Sequence, residues 1–277
     1  MREVILAEHA GFCFGVKRAV TKAFELSGSD KKVFTFGELI HNSDVVKNLE
    51  SKNINAISEE DFGEVTKQDT VLIRSHGVTP DRLEDIRGIS GEVIDLTCPY
   101  VTNIQRKVSE FHGKGYRIVI LGDKDHPEVV GINGWCDNTA LISKSGEINF
   151  KVPGRICAVS QTTEKQANWE KLIVGLSKEA KELFAFNTIC AATQERQSST
   201  ERLAKEMEAM VVIGGKNSSN TNKLYEICKA WCENTWFVEN AKELKEHIEE
   251  LREFKRIGVT AGASTPDWII KEAMELL

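Results

Sequence analysis

"AEHAGFCFGVKRAV", residues 7–20, holds a cysteine between two glycines on a short bridge from an apolar run, Val4 to Ala7, to an amphipathic one. Alone, Cys13 reads as a small buried hydrophobe, and Gly11 and Gly15 as turn formers. The arrangement recurs twice. "GEVIDLTC" runs to Cys98 and "LFAFNTIC" runs to Cys190, and each cysteine leads into a helical pattern. After Cys13, residues Val16, Ala19, Val20, Ala23 and Phe24 fall on one helix face; after Cys98, Val101, Ile104, Val108 and Phe111 do the same, with Pro99 at a first helical position. The third helical stretch, 192–210, is more polar.

Counting forward from each cysteine strengthens the repeat. "KVFTFGELIHN" ends near His41, "YRIVILGDKDHPEV" near His126 and "AMVVIGGKNSSN" near Ser218, each 28 residues after its cysteine. A further apolar run follows in each case: "DTVLIRSHGV" near His76, "RICAVSQTT" to Thr162 and Thr163, and "RIGVTAGASTP" near Ser264. Short strand-like pieces at 54–57, 139–143 and 235–239 lie between these runs, with helical segments expected before and after each. Strands alternating with helices predict an α/β chain of three pseudo-equivalent parallel βαβ units, 1–97, 98–189 and 190–277. Ligands of open parallel sheets gather beyond the carboxyl ends of the strands, where these polar residues fall. Units packed about a pseudo-threefold axis with those ends inward would bring the three cysteines to one cavity.

Composition narrows the function. With 277 residues, 41% of them hydrophobic and 28% charged, the chain reads as ordinary globular protein. A formal charge of −6 with mixed signs offers no basic stripe for nucleic acid. No run approaches the ~18 apolar residues of a membrane span, and the start has no signal-peptide pattern, so a cytoplasmic protein is expected. Seven cysteines, an odd number spread from Cys13 to Cys232, do not read as a secreted disulfide scaffold.

A cysteine at a helix N-terminus has its thiolate stabilised by the free N–H groups and the dipole, which suits a metal ligand or a nucleophile. Zinc sites show paired spacings and four ligands, and such pairs are absent around Cys13, Cys98 and Cys190. Cys228 and Cys232, four apart on one helix face, are a second choice. An iron-sulfur cluster accepts thiolates from distant parts of a chain, and three of them leave one iron of a 4Fe-4S cluster open.

The stretches "GFCFGV", "GELIHN", "SHGV", "DLTCPYV", "DHPEVVG", "SQTT", "TICAATQERQ", "GGKNSSNTNKL" and "TAGASTP" follow one another as in the 4-hydroxy-3-methylbut-2-enyl diphosphate reductases of the non-mevalonate isoprenoid pathway. The chain resembles that family over essentially its whole length. The resemblance implies a trefoil of three α/β units around a central 4Fe-4S cluster held by Cys13, Cys98 and Cys190. It implies a two-electron, two-proton removal of an allylic hydroxyl, giving isopentenyl and dimethylallyl diphosphate, with ferredoxin or flavodoxin as electron donor. Glu128 corresponds to the proton donor, since the departing oxygen needs a proton; Thr162 or Thr163 orients the hydroxyl. His41, His76, His126, Ser218, Ser219, Asn220 and Ser264 resemble the substrate and diphosphate pocket. Imidazolium, hydroxyl and amide donors hold an anion without lysine or arginine.

Blander readings stand beside these. A lone His41 is more often a satisfied buried polar group, but its echo at His126 favours function. His76 before Gly77 also suits a turn, and Glu128 a first-turn acid; without the resemblance nothing separates Glu128 from Asp123 or Asp125. The "GGKNSSN" loop alone is a weak phosphate signal. Cys136, Cys157, Cys228 and Cys232 read as packing residues, His9, His112 and His247 as surface or structural, and 242–256 as a solvated helix face. Two competing functions share the three thiolates: an iron-sulfur hydro-lyase, which consumes no electrons, and a non-catalytic iron-sulfur sensor.

Overall fold

A computed structural model describes residues 2–152 and 154–277. Along the chain, β1 (Glu3–Leu6) leads to α1 (Phe14–Glu25), β2 (Val33–Phe36), α2 (Ser43–Glu50), β3 (Ile54–Ile57), β4 (Thr70–Ile73), α3 (Pro80–Ile89) and β5 (Glu92–Asp95). Then come α4 (Pro99–Gly113), β6 (Arg117–Leu121), α5 (Pro127–Gly134), β7 (Leu141–Ser143), β8 (Gly154–Ser160), α6 (Gln166–Ser177) and β9 (Ala180–Ala185). The last stretch holds α7 (Ala191–Glu206), β10 (Ala209–Ile213), α8 (Ser219–Trp231), β11 (Thr235–Val238), α9 (Ala241–Leu244), α10 (Ile248–Leu251), β12 (Arg256–Ala261) and α11 (Asp267–Leu276).

The strands form three four-stranded sheets, ordered β3-β2-β4-β5, β7-β6-β8-β9 and β11-β10-β12-β1, and every pairing is parallel. The three orders are one pattern written three times. Strands such as "TVLI" (β4) and "AMVVI" (β10) are buried along their whole length, as expected for inner strands covered on both faces. Successive residues alternate between two cores: Ala209, Val211 and Ile213 pack with Val238 and Ile269, while Met210 and Val212 pack with Leu224 and Cys228. One of the two edge strands of each sheet runs toward a cysteine: β1, β5 and β9. β1 "EVIL" and β5 "EVID" share one burial pattern, with charged or exposed ends, and β9 "AKELFA" is mostly exposed; such ends discourage pairing with another chain.

Strand β1 departs from the expected first segment, 1–97: it pairs with β12, Val4 opposite Ile257, and completes the sheet of 209–261. The strand before Cys13 is thus the counterpart of β5 before Cys98 and of β9 before Cys190. The chain divides into two compact units. One holds β11-β10-β12-β1 and comprises residues up to Lys17, Ile40–Val45 and Ala191–Leu277; the other, Arg18–Leu39 and Val46–Cys190, holds the remaining two sheets.

Three local expectations differ. After 54–57 the structure has only a 3₁₀ turn, Glu60–Glu64, and after β7 no helix forms among the described residues, because Ser145 and Gly146 both take positive φ, 63° and 77°. The charged run 242–256 breaks into two single turns of helix joined by a 3₁₀ turn, with Leu244 and Leu251 fully buried rather than solvated. Among the described residues no helix is long and apolar enough to cross a membrane.

Candidate functional site

The second strand of each sheet order, β2, β6 and β10, runs into a helix N-terminus that receives a residue of the 28-residue repeat. Ser218 caps α8, its hydroxyl accepting from Thr221 N at 3.3 Å, and His126 caps α5, its Nδ1 accepting from Glu128 N at 3.1 Å. An Nδ1 that accepts leaves the proton of a neutral imidazole on Nε2. In the first repeat Asn42 takes the capping role, accepting from Val45 N at 3.1 Å, so His41 stands one residue ahead of the cap.

The cysteines share a second recurrent contact. Cys98 N donates to Ser75 O at 2.9 Å, Cys190 N to Thr162 O at 3.1 Å and Cys13 N to Ala263 O at 3.2 Å. Each bond ties the cysteine to the loop after the neighbouring inner strand, and the residue following each acceptor is His76, Thr163 or Ser264. All three cysteines are half-buried, whereas Cys136, Cys157, Cys228 and Cys232 are buried; none of the seven forms a disulfide. Burial pushes the Cys136 thiol up to about 11 and those of Cys157 and Cys228 up to about 12. Those buried cysteines pack as the small hydrophobes the sequence suggested.

In the two-sheet unit, Glu128 is 3% exposed and faces Thr162. Thr162 N donates to Glu128 Oε1 at 2.6 Å, and Thr162 Oγ1 to Oε2 at 2.7 Å. Thr163 is engaged elsewhere, its hydroxyl accepting from Gln161 Nε2 at 3.0 Å. His76 and His126 meet edge-on with ring centroids 5.4 Å apart. The loop holding His76 is drawn against α5 by Trp135 Nε1, which donates to Val78 O at 3.2 Å. Gly134 permits the approach, since a Cβ there would lie 2.4 Å from Thr79 Cγ2.

In the other unit, Ser264 Oγ donates to His41 O at 3.0 Å, and Gly215 lets that backbone come close, because a Cβ at 215 would lie 2.5 Å from the same oxygen. Asn220, 4% exposed beside the Ser218 cap, has no hydrogen-bond partner among the described residues at either Nδ2 or Oδ1. A buried amide with both ends open is costly unless something else binds it. Ser219 Oγ accepts from Lys223 Nζ at 3.3 Å.

Two contributors escape sequence reading. Gln161, wholly buried, accepts from Asp123 N through Oε1 at 3.2 Å while holding Thr163. Arg74 lies two residues before His76; burial pulls its guanidinium below its ordinary value, and the nearby Glu38 carboxylate opposes that shift. "SQTT" and "IRSHGV" carry both residues, but only tertiary packing shows what they touch.

Residues 4–277 match the family described as LytB protein. The chain belongs to the LytB family. A LytB relative from Clostridium perfringens strain SM101, called 4-hydroxy-3-methylbut-2-enyl diphosphate reductase, is 53% identical over 274 residues, covering 99% of this chain and 97% of that protein. A relative of the same name from Caldanaerobacter subterraneus is 48% identical over 277 residues, covering 99% and 96%. Among solved structures, an (E)-4-hydroxy-3-methyl-but-2-enyl diphosphate reductase, described as the terminal enzyme of the non-mevalonate pathway, is 41% identical with a TM-score of 0.71, covering 100% of this chain and 99% of its own. The E-1-hydroxy-2-methyl-but-2-enyl-4-diphosphate reductase of Plasmodium falciparum is 25% identical with a TM-score of 0.87, covering 100% and 88%. The α/β architecture of three parallel sheets is the LytB fold.

Proposed function

We propose that this LytB chain reduces 4-hydroxy-3-methylbut-2-enyl diphosphate to isopentenyl and dimethylallyl diphosphate in the cytoplasm. The C–O bond breaks, the oxygen leaves as water, a proton reaches the allyl carbon, and two electrons arrive one at a time from a carrier protein of the ferredoxin or flavodoxin class. The observation that carries the reading is the Glu128–Thr162 pair in a chain of this family: a buried carboxyl already bonded to a hydroxyl is the arrangement that proton delivery to a departing oxygen requires.

The donor set suits a three-thiolate iron-sulfur cluster. Cys13, Cys98 and Cys190 are unbridged, half-buried and placed at helix starts, while the other four cysteines are buried in apolar cores. When bound, the cluster supplies single electrons and an iron without a protein ligand as a Lewis acid.

The chain's own residues do the rest. On protonation at Oε2, Glu128 donates to Thr162 Oγ1, reversing the bond seen in the free carboxylate, and the Thr162 hydroxyl proton turns to the substrate oxygen. His126, with Nδ1 engaged by Glu128 N, offers Nε2–H to the substrate, and His76 stands beside it. His41, Ser218, Ser219, Asn220 and Ser264 bind the diphosphate; Asn220 is a donor that finds no hydrogen-bond partner among the described residues. Thr163 supports the loop through Gln161.

The test is anaerobic purification of the wild type and of Cys13→Ser, Cys98→Ser and Cys190→Ser. The wild type should be brown and contain iron and sulfide, and each variant should lose the visible absorbance. An unchanged spectrum in any variant would remove that thiol from the set.

A further inference from the structure

The buried face of α7 is polar, with Arg196, Ser199 and Thr200 3%, 4% and 0% exposed. A helix normally buries an apolar stripe, and a buried guanidinium is costly unless its donors are used. Here the two terminal nitrogens, Nη1 and Nη2, are aimed at backbone carbonyls. Arg196 Nη2 donates to Gly11 O at 2.8 Å and Nη1 to Ala192 O at 3.1 Å, while Ser199 Oγ donates to Glu8 O at 2.6 Å. Thr200 Oγ1 shares a 2.7 Å hydrogen bond with Thr260 Oγ1 on β12, which fixes the helix against the sheet.

The carbonyls of Glu8 and Gly11 belong to the loop between β1 and α1 that carries Cys13. That loop is unusual backbone, with His9 at φ 62° and Gly11 at φ 94°. Ala7 N anchors the start of the loop to Val259 O on β12 at 2.7 Å, but between Glu8 and Cys13 the tethers to β12 and the loop after it are longer, Gly11 N to Ala261 O at 3.4 Å and Cys13 N to Ala263 O at 3.2 Å. Over that segment the shorter bonds come from α7, and the one from Arg196 is charge-assisted. A lysine would bring the charge without the fork that reaches two carbonyls at once.

We propose that Arg196 is a positioning residue which, with Ser199, fixes the backbone of the Cys13 loop and so aims the Cys13 sulfur. Under the proposed function this orients one of three cluster ligands; the loop-holding itself is independent of that reading.

The experiment uses the full-length apo-protein under reductant-free anaerobic conditions. Iodoacetamide labelling of Cys13 is timed by peptide mass spectrometry, with Cys98 of the same molecules as reference. Arg196→Met should speed labelling of Cys13 about 10-fold, the scale of a lost charged hydrogen bond, and leave Cys98 unchanged. Arg196→Lys should fall between Arg196→Met and wild type. Ser199→Ala, which keeps the volume and removes one bond, should speed Cys13 by about 3-fold; it serves if Arg196→Met fails to fold. Arg202→Met, which removes only an exposed partner of Glu8, should leave both rates as they are. An unchanged Cys13 rate in Arg196→Met and Ser199→Ala, or equal acceleration at Cys13 and Cys98, would overturn the proposal. A wild type that takes up no cluster, with Arg196→Met and Ser199→Ala still accelerating Cys13 alone, would remove the proposed function and leave this inference standing.

Discussion

Thr162 meets Glu128 twice, its amide and its hydroxyl each donating to one carboxylate oxygen at 2.6 and 2.7 Å. Glu128 sits in the first turn of α5 and Thr162 two residues beyond β8, so the ends of two neighbouring strands, β6 and β8, supply the pair. Glu128→Gln keeps the shape and the acceptor but removes the exchangeable proton. Turnover should fall by roughly 10²-fold or more, as for loss of a general acid, with cluster content and substrate binding retained. Near-normal turnover would take Glu128 out of proton delivery.

The two threonines differ in what they touch, and their variants should differ too. Thr162→Val removes the hydroxyl facing Glu128 and should cost roughly 10-fold or more in kcat. Thr163→Val removes a partner of Gln161 instead, so its cost should appear as about 1 kcal/mol of stability with a smaller effect on kcat. Comparison of kcat and urea midpoints for the pair decides this; the reverse ranking would exchange their roles.

Under the proposed function, Asn220 would trade stability against binding. Replacing its open, buried amide by an apolar side chain of similar size, Asn220→Leu, should leave the free protein as stable as wild type or up to about 1 kcal/mol more stable. The same change should raise KM for the diphosphate about 10-fold while kcat moves less. A destabilised protein with unaltered KM would show that the amide serves the fold instead.

The buried thiols predict an alkaline loss of stability. Burial holds Cys136 at about 11 and Cys157 and Cys228 at about 12, whereas an unfolded chain releases these protons at about 8.5. Above about 8.5 the folded state therefore binds more protons than the unfolded one, and stability falls with rising pH by about 1 kcal/mol per thiol per pH unit. Below that value the contribution is fully present. Urea midpoints of the apo-protein should match at pH 6.5 and 7.5 and drop between 8.5 and 9.5, and Cys157→Ala should flatten the drop. A wild-type midpoint that stays level to pH 9.5 would contradict the assignment.

Much of this fold is legible in the sequence because the repeat is written in chemistry as well as hydropathy. Equal spacings from Cys13 to His41, Cys98 to His126 and Cys190 to Ser218 mark helix starts after equivalent strands, and the fully apolar runs mark inner strands of parallel sheets. Partnership between strands is less legible. Nothing in "EVIL" says that β1 pairs with β12 rather than with its sequence neighbours, because pairing choice lies in the tertiary arrangement. The polar helix α7 hid its purpose for a similar reason: Arg196 and Ser199 are buried against backbone carbonyls, which have no side-chain signature. Which of Thr162 and Thr163 faces Glu128 is a matter of one residue that spacing alone does not resolve.

The most direct measurement is the electron count of turnover. Anaerobic protein given 4-hydroxy-3-methylbut-2-enyl diphosphate and a titrated chemical reductant should consume two electrons for each isopentenyl or dimethylallyl diphosphate formed, and form neither without reductant. Conversion of the substrate with no reductant consumed, as a hydro-lyase would perform it, would contradict the assignment.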